Sequence, residues 1–464
     1  MTAVKKAGAL PPVTVNPKEL AQNGARRGRF LPQLGGAGHA PCARDQQRSL
    51  KGLDWVNFFM ADVATGIGPF LAIYLTATRH WDPASVGIVV AAQAIASVVA
   101  QVPAGWLVDN STKKKWLLIP GAVMVAVGCV AIVLARNVAS EVAVQIAIGL
   151  TAAIFPPAIA AIALGIVGKP KLSRRAGRNE GFNHAGNVVF AVLAGGIGAA
   201  FGQQWIFYAS ALFATGTVIS AWMIRDEDID NEAARAGAGG DSSNERDTKT
   251  PRLASPSDLL GDRRILIFTA SVVLFHFANA AMLPLVGELL SKGKDGASSM
   301  YMSACIVAAQ LVMIPVAILT GKLADPWGRK PLFLIGFGVL VLRGVLYTLG
   351  KGAAYLIAVQ SLDGVGAGIF GVLWVIIISD LARGTGRFNL LQGAIQAALG
   401  LGAFLSNFLA GFVVKSLGHN AGFLGLAGIA SIGLVFFALF MPETKAQASG
   451  RPQPLHPTAA PAPV

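Results

Sequence analysis

The feature that most constrains this chain is a series of apolar stretches, each long enough to cross a lipid bilayer as a helix. A helix rises 1.5 Å per residue, so about 20 apolar residues cross a ~30 Å hydrocarbon layer. Lipid offers the backbone no hydrogen-bond partners, and such segments must therefore be helical. Twelve of them occur, near residues 55–78, 85–108, 115–135, 141–167, 181–202, 204–224, 265–290, 298–321, 331–349, 353–381, 389–414 and 420–441. The sequence predicts an all-α membrane protein with twelve transmembrane helices.

Two loops of the sequence repeat each other at a distance of about half the chain. The first runs from Gly105 to Asp109 and continues into three lysines, and the second begins at Gly321 and has its aspartate at Asp325. Other short patterns repeat in the same order at nearly the same separation. The chain is therefore predicted to contain two six-helix pseudo-repeats, and duplication on this scale is typical of secondary transporters.

Composition and charge fit this interpretation. The chain is 54% hydrophobic and 13% charged, whereas soluble proteins average about 25% charged residues. Most of the 38 lysines and arginines fall in the tails and in the loops on one side, which predicts that both termini are cytoplasmic. The net charge of +14 is thus interpreted as a topology signal, and no nucleic-acid partner is expected.

These signals give a predicted domain organisation. It consists of a disordered basic cytoplasmic tail (1–53), an N-terminal six-helix bundle (54–224), a flexible cytoplasmic linker (225–263), a C-terminal six-helix bundle (264–442) and a disordered cytoplasmic tail (443–464). The tail and linker are rich in polar residues and glycine, a composition that cannot bury a core. The three cysteines are isolated, so neither a disulfide framework nor a metal site is predicted.

The second loop resembles the G-x-L-x-D-x-x-G-R-K signature of the major facilitator superfamily. It carries the whole signature, including Gly328, Arg329 and Lys330, whereas the first copy replaces the Gly-Arg pair with Ser-Thr-Lys-Lys-Lys. The resemblance covers about residues 54–442 and implies two bundles that rock about a central cavity. It also implies that the first, fourth, seventh and tenth spans line that cavity.

The signature loops have a physical interpretation as gates. Their aspartates, Asp109 and Asp325, are placed to face a neighbouring helix N-terminus and a cation, which would close the cytoplasmic side. Arg329 and Lys330 are assigned to the same gate. The alternative is that these residues only fix topology and loop shape, because cytoplasmic loops retain cations in any case.

Polar side chains within the cavity spans are functional candidates, because they are costly in lipid. Asp363 lies about ten residues into its span, ~15 Å deep, and its repeat counterpart is Ile148. A charge found in one half alone points to proton coupling or substrate contact. The alternative is an ion pair with Arg343, which lies inside the preceding span.

Two further residues are candidates for proton coupling. Asp62 could carry a proton in a low-dielectric cavity, or it could solvate the cytoplasmic vestibule. His276 could titrate near neutral pH, or it could hydrogen-bond a neighbouring helix. The substrate cavity candidates are Gln145, Asn279 and Gln360. The fifth span also begins with a cluster that we interpret as solvated or gating, formed by Glu180, His184 and Asn187.

The predicted function is export of a small neutral or cationic organic compound by alternating access, as in drug/proton antiporters. The cavity spans contain Asp62 and Asp363 and no lysine or arginine, so an anionic substrate would lack a counter-ion. The alternative is proton-coupled uptake of a small metabolite. A receptor or an enzyme is disfavoured, since the spans contain no catalytic constellation. We expect a monomer in the bacterial inner (plasma) membrane, with the proton gradient as its energy source and no cofactor.

Overall fold

A computed structural model describes residues 43–65, 67–237, 259, 261–291 and 298–445, and the chain is all-helical, with no strand in these ranges. The helices of the N-terminal half are α1 (Ala43–Thr65), α2 (Ile67–Ile73), α3 (Pro83–Asn110), α4 (Lys115–Leu134), α5 (Val138–Ala152), α6 (Phe155–Val167), α7 (Leu172–Phe201) and α8 (Gln204–Trp222). Those of the C-terminal half are α9 (Arg263–Asn279), α10 (Met282–Ser291), α11 (Ser298–Trp327), α12 (Arg329–Leu346), α13 (Ala353–Gln360), α14 (Asp363–Leu381), α15 (Phe388–Leu417) and α16 (His419–Phe440).

The described residues contain ten helical stretches that are long and apolar enough to cross a membrane. They include the predicted spans at α5–α6, α9–α10 and α13–α14, each formed by two consecutive helices. The two remaining predicted spans correspond to α1–α2 and α12. These helices carry more charge: α12 contains Arg329, Lys330 and Arg343, and α1 contains buried Asp54.

Within the described residues, three of the four spans expected to line the cavity are interrupted near their middle. In two of them a proline explains the break, because it has no N–H to donate to the carbonyl four residues earlier. Pro156 lies four residues after the end of α5, and Pro284 four after Ala280, which caps α9. Between α13 and α14 a turn with the bond from Gly364 N–H to the Ser361 carbonyl (3.0 Å) takes the place of the helical pattern.

N-cap residues stabilise the first turns of two helices, α3 and α5. The Asp82 carboxylate accepts hydrogen bonds from Ala84 N–H and Ser85 N–H at the start of α3, with Pro83 at the first helical position. The Ser85 hydroxyl and these backbone donors together hold the pKa of Asp82 below its ordinary value. Asn137 caps α5 in the same way. Both features are standard helix starts.

Each half is built around its own buried apolar cluster. One cluster is formed by residues between Leu53 and Ala234. The other lies mainly between Leu259 and Met441, and a few side chains of α6 and α7 join it. The fold is thus two bundles in contact.

The halves meet along two seams of antiparallel helices, α3 with α15 and α7 with α11. Both seams are tightest at the end of the molecule that carries the two signature loops, here called the motif face. A Cβ atom added at Gly177 would lie 2.6 Å from the Ala317 carbonyl, whereas one added at Gly195, nearer the other end of α7, would meet no atom within 4 Å. The molecule is therefore closed at the motif face.

Two predicted boundaries differ from the structure. The first helix begins at Ala43, inside the range assigned to a disordered tail, because Leu53 and Val56 anchor it to the N-terminal core. Part of the predicted flexible linker is also ordered. Residues 225–237 form two 3-10 turns in which Ile229 and Ala234 are buried beside Gly165 of α6. The rest of the predicted tails and linker, 1–42, 238–258, 260 and 446–464, lies outside the described residues.

Candidate functional site

A buried charge cluster occupies the centre of the C-terminal half. Arg343 of α12 has a side chain only 2% exposed, and it forms an ion pair with Asp363, whose side chain is 17% exposed. Its guanidinium also donates to the Asn279 Oδ1 and, at 3.3 and 3.1 Å, to the Met282 sulfur. Two of the sequence candidates, Asp363 and Asn279, are thus brought together by an arginine.

This cluster lies at both helix breaks of the C-terminal half. Asn279 is the last residue of α9 and Met282 the first of α10, while Asp363 is the first residue of α14. Gln360, the last residue of α13, accepts a hydrogen bond from the Tyr347 hydroxyl and donates one to Asp363 Oδ2 at 3.3 Å. A single arginine therefore fastens two interrupted helices, and Tyr347 is a participant that the sequence analysis missed.

His276 lies one turn before Asn279, between aromatic rings. Its ring centroid is 4.7 Å from that of Phe370 and 5.6 Å from that of Phe275. Its Nδ1 faces the Val272 carbonyl of its own helix at 3.3 Å. The ring is thus held mainly by packing.

Gln145 occupies the position in the N-terminal half that corresponds to Gln360. It is fully buried and donates to Glu141 Oε1 at 2.9 Å. Glu141 is also fully buried, and its second carboxylate oxygen has no hydrogen-bond partner. Glu141 was not among the predicted site residues, although a glutamate four residues before Gln145 in an apolar span predicts contact on one helix face.

The first signature loop docks directly onto the other half. Asp109, at the end of α3, is 1% exposed. Its carboxylate accepts hydrogen bonds from Asn389 N–H (3.1 Å), Leu390 N–H (2.8 Å) and Asn389 Nδ2 (2.8 Å) at the first turn of α15. A Cβ at Gly105 would overlap the Asn389 carbonyl. This contact places a negative charge on the positive end of a helix dipole.

The second signature loop makes a more exposed contact. Asp325, whose side chain is 44% exposed, accepts a hydrogen bond from the Ser173 hydroxyl of α7 at 2.7 Å and pairs with Arg329 at 3.2 Å. Arg329 also binds Asp380 of α14 at 3.0 Å, and Asp380 in turn pairs with Lys169 of the N-terminal half at 2.6 Å. The charge network therefore crosses between the halves through Asp380, a residue that the sequence analysis did not single out.

The remaining signature residues shape the start of α12. Gly328 has φ +95°, a conformation that favours glycine. The Glu443 carboxylate accepts hydrogen bonds from Arg329 N–H (2.9 Å) and Lys330 N–H (3.0 Å). Burial opposes ionisation of Glu443, but these backbone bonds and a third from Lys445 N–H hold its pKa below the ordinary value.

A further ion cluster joins α1 to α7 at the motif face. Asp54 accepts from Arg175 at 2.7 Å and from Arg178 at 2.7 and 2.9 Å. Asp54 and Arg175 are buried, whereas the Arg178 side chain is 57% exposed. The cluster lies within the N-terminal half, and no local sequence pattern predicts it because its members are far apart in the chain.

A polar contact extends deeper into the seam between α7 and α11. His184 Nδ1 lies 2.7 Å from Gln310 Oε1 of the other half, and His184 Nε2 lies 3.7 Å from Glu180 Oε2. Glu180 also faces α14, since a Cβ on Gly371 would lie 3.2 Å from its carboxylate. The cluster at the start of the fifth span thus bridges the two halves.

The two remaining predictions concern Asp62 and metal binding. Asp62 falls within α1, and its side chain lies outside the described part of the chain. Among the residues that the structure describes, no group of three or more His, Cys, Asp or Glu side chains could hold a metal ion.

Comparison with known proteins gives consistent matches. The profile of the Major Facilitator Superfamily matches residues 54–354 and 296–461. An uncharacterised MFS-type transporter of Mycobacterium tuberculosis is 45% identical over 399 residues, which are 86% of this chain and 94% of that protein. The multidrug transporter protein MdtP of Bacillus subtilis is 27% identical over 184 residues, 38% of this chain and 32% of that protein.

A solved structure also shares the fold. The human organic anion transporter MFSD10 (TETRAN) superposes with a TM-score of 0.63 and 14% identity, covering 84% of this chain and 99% of that one. At this identity the likeness concerns the fold alone.

Proposed function

Since the chain belongs to the major facilitator superfamily and is an integral multi-pass membrane transporter, we propose that it exports a small neutral or cationic organic compound in exchange for protons. The motif face is the cytoplasmic face in this proposal, both termini are cytoplasmic, and the membrane is the bacterial inner membrane. The chain acts as a monomer, and alternating access opens and closes the motif face.

The observation that carries the proposal is the Arg343 cluster at the two helix breaks. Asp363 is the partly exposed member and Arg343 the buried one. Protonation of Asp363 removes the charge that balances Arg343, and a buried cation without its counter-charge is strongly unfavourable. Arg343 contacts α9, α10 and α14. The loss of its counter-charge therefore changes the stability of its contacts with these three helices. Proton binding is thereby coupled to bending of the helices that line the cavity.

The charge of the substrate follows from the carboxylates that remain. Arg343 neutralises Asp363, so this pair attracts neither anions nor cations strongly. Glu180 lies at the seam, and among the described residues only His184 is a charged or titratable group in ion-pair range of it. This carboxylate favours a neutral or cationic compound over an anion. The partial similarity to a multidrug transporter supports export.

The test uses everted membrane vesicles that contain the chain, with ethidium as the cationic probe and a fluorescent pH indicator. Addition of ethidium should partly collapse the pH gradient as protons leave in exchange. Asp363→Asn should abolish this response while leaving the protein folded and ethidium exchange intact. Glu227→Gln, which removes an exposed carboxylate whose side chain is 72% exposed, is the matched control and should behave as the original chain.

Three outcomes would overturn the proposal. A normal proton response in Asp363→Asn would show that the ion pair is structural. Restoration of both folding and coupling by the neutral pair Arg343→Gln with Asp363→Asn would show the same. A proton response that appears only when a metabolite enters right-side-out cells would indicate uptake by symport in place of export.

A further inference from the structure

A groove runs along the seam between α7 and α11, with α1 forming its third wall. It encloses a cavity of about 870 Å³. Its deeper part is lined by apolar side chains such as Phe58, Phe182 and Ile314, and its rim at the motif face carries Arg174, Arg178 and Lys322. From Arg174 to Ala185, α7 descends about 16 Å at 1.5 Å per residue. The groove is thus cationic at the membrane surface and apolar below it.

The cations at the rim exceed the carboxylates that could balance them. Arg178 shares Asp54 with Arg175. Arg174 and Lys322 are exposed, and the described residues supply no hydrogen-bond or ion-pair partner to either side chain. None of the residues that line the groove is an aspartate or glutamate. Within the part of the chain that the structure describes, the rim therefore carries more positive than negative charge, which favours the binding of an anion.

The apolar part of the groove determines what kind of anion fits. Ile318 is 40% exposed and Trp55 is 44% exposed, and tryptophan is enriched where membrane meets water. Arg178 lies over the Phe182 ring at 5.2 Å, so its aliphatic stem continues the apolar wall. A soluble anion would use the rim and leave this wall bare, whereas a phospholipid would place its headgroup on the cations and an acyl chain along the wall.

We propose that this groove binds one anionic phospholipid of the leaflet at the motif face. The site joins α1 and α7 of one half to α11 of the other, across a seam that must part if the motif face opens. A lipid seated there stabilises the closed arrangement, because its headgroup bridges Arg174 of the N-terminal half and Lys322 of the C-terminal half. The proposal does not depend on which compound the transporter moves.

The test is native mass spectrometry of the purified full-length chain, titrated in separate arms with phosphatidylglycerol, phosphatidylcholine and inorganic phosphate. The original chain should retain one phosphatidylglycerol more strongly than phosphatidylcholine. Arg174→Gln with Lys322→Gln should weaken phosphatidylglycerol retention by roughly 30-fold, since two cations near the surface are removed. Lys113→Gln with Lys445→Gln removes two exposed cations of the same face outside the groove and should leave retention unchanged.

A second variant tests the apolar part. Ala185→Phe leaves every cation in place but fills the groove, and it should lower lipid retention while the chain remains monodisperse in detergent. Equal retention by the original chain and the Arg174/Lys322 variant would overturn the proposal. So would equal retention of phosphatidylcholine, or displacement of the lipid by inorganic phosphate, which would identify the rim as a site for soluble anions.

Discussion

The two seams at the motif face carry copies of one motif but are held together differently. In the α3–α15 seam, Asp109 is buried and accepts three hydrogen bonds from the first turn of the opposite helix. In the α7–α11 seam, Asp325 is half exposed and accepts one hydroxyl from the opposite half. The copy that departs from the family signature thus makes the closer contact. The strength of the gate therefore depends on the groups that the motif contacts in the other half, and not on how completely the motif matches the family signature.

The largest expected effect is that of Asp109→Asn. The change leaves the buried N–H groups of Asn389 and Leu390 facing a neutral amide and removes the charge from the helix dipole. It should destabilise the closed motif face by about 2 to 3 kcal/mol. Spin labels at the exposed positions Asn110, at the end of α3, and Arg383, in the connection before α15, would measure the separation of the two halves beside this contact, which should increase.

A second variant, Asn389→Asp, tests the same contact. It places a second carboxylate there and should open the seam by like-charge repulsion. If Asp109→Asn leaves the distance distribution unchanged, the α3–α15 contact does not hold the face closed, and the comparison between the seams fails.

Substitution of the glycines in the two motif copies should have the next largest effect. A Cβ on Gly321 would lie 2.7 Å from the Ser173 carbonyl and 2.9 Å from the Gly177 Cα, both on backbone that cannot move away easily. Gly321→Ala should therefore lower the stability of the closed state by about 2 kcal/mol, and Gly105→Ala should do at least as much. Thermal unfolding in detergent would measure both.

Gly181 offers a matched control in the same seam. An added Cβ there would lie 3.1 Å from Cγ1 of the Ile318 side chain, which can rotate away. Gly181→Ala should therefore change the melting temperature little. Similar losses in Gly181→Ala and Gly321→Ala would show that the close backbone approach at Gly321 has no special role.

The buried lysine that follows the first motif copy predicts a response of stability to pH. Burial and the nearby Arg235 lower the pKa of Lys114 to about 8. Between pH 8 and the ordinary lysine pKa of 10.5, the unfolded chain binds more protons than the folded one, so stability rises with pH. The gain from pH 7 to pH 9 should be about 1 kcal/mol.

Thermal unfolding at pH 7, 8 and 9 would measure this gain. Lys114→Met should remove it, because the side chain no longer titrates, while Lys113→Met, one residue earlier and exposed, should retain it. An unchanged pH profile in Lys114→Met would assign the gain to another group.

These contrasts also show which parts of the molecule the sequence could predict. The spans were predictable because a bilayer fixes the length of an apolar helix. The positions of Asp109 and Asp325 at the seams were predictable because the motif repeats. The role of Asn389 was not predictable, because it depends on which helix packs against α3, and no local sequence pattern specifies that contact.

The charge cluster of the C-terminal half illustrates the same limit. An ion pair between Arg343 and Asp363 was one of the two interpretations that the sequence offered, but the sequence could not reveal that Arg343 also binds Asn279 and Met282. Those contacts depend on the break between α9 and α10. Pro284 accounts for that break but was not among the predicted features, and its consequence becomes visible only when the rotation of the two helix segments is known.

The smallest expected effect is that of Asp325→Asn. The side chain is 44% exposed, and solvent-exposed ion pairs contribute about 0 to 1 kcal/mol. An asparagine can still accept the hydrogen bond of the Ser173 hydroxyl, and Arg329 keeps Asp380 as its partner. Spin labels at the exposed positions Lys171 and Trp327 should therefore report a shift of about 0.5 kcal/mol or less, well below that of Asp109→Asn. A larger shift than that of Asp109→Asn would reverse the ranking of the seams and would show that the complete signature, and not the buried carboxylate, dominates the gate.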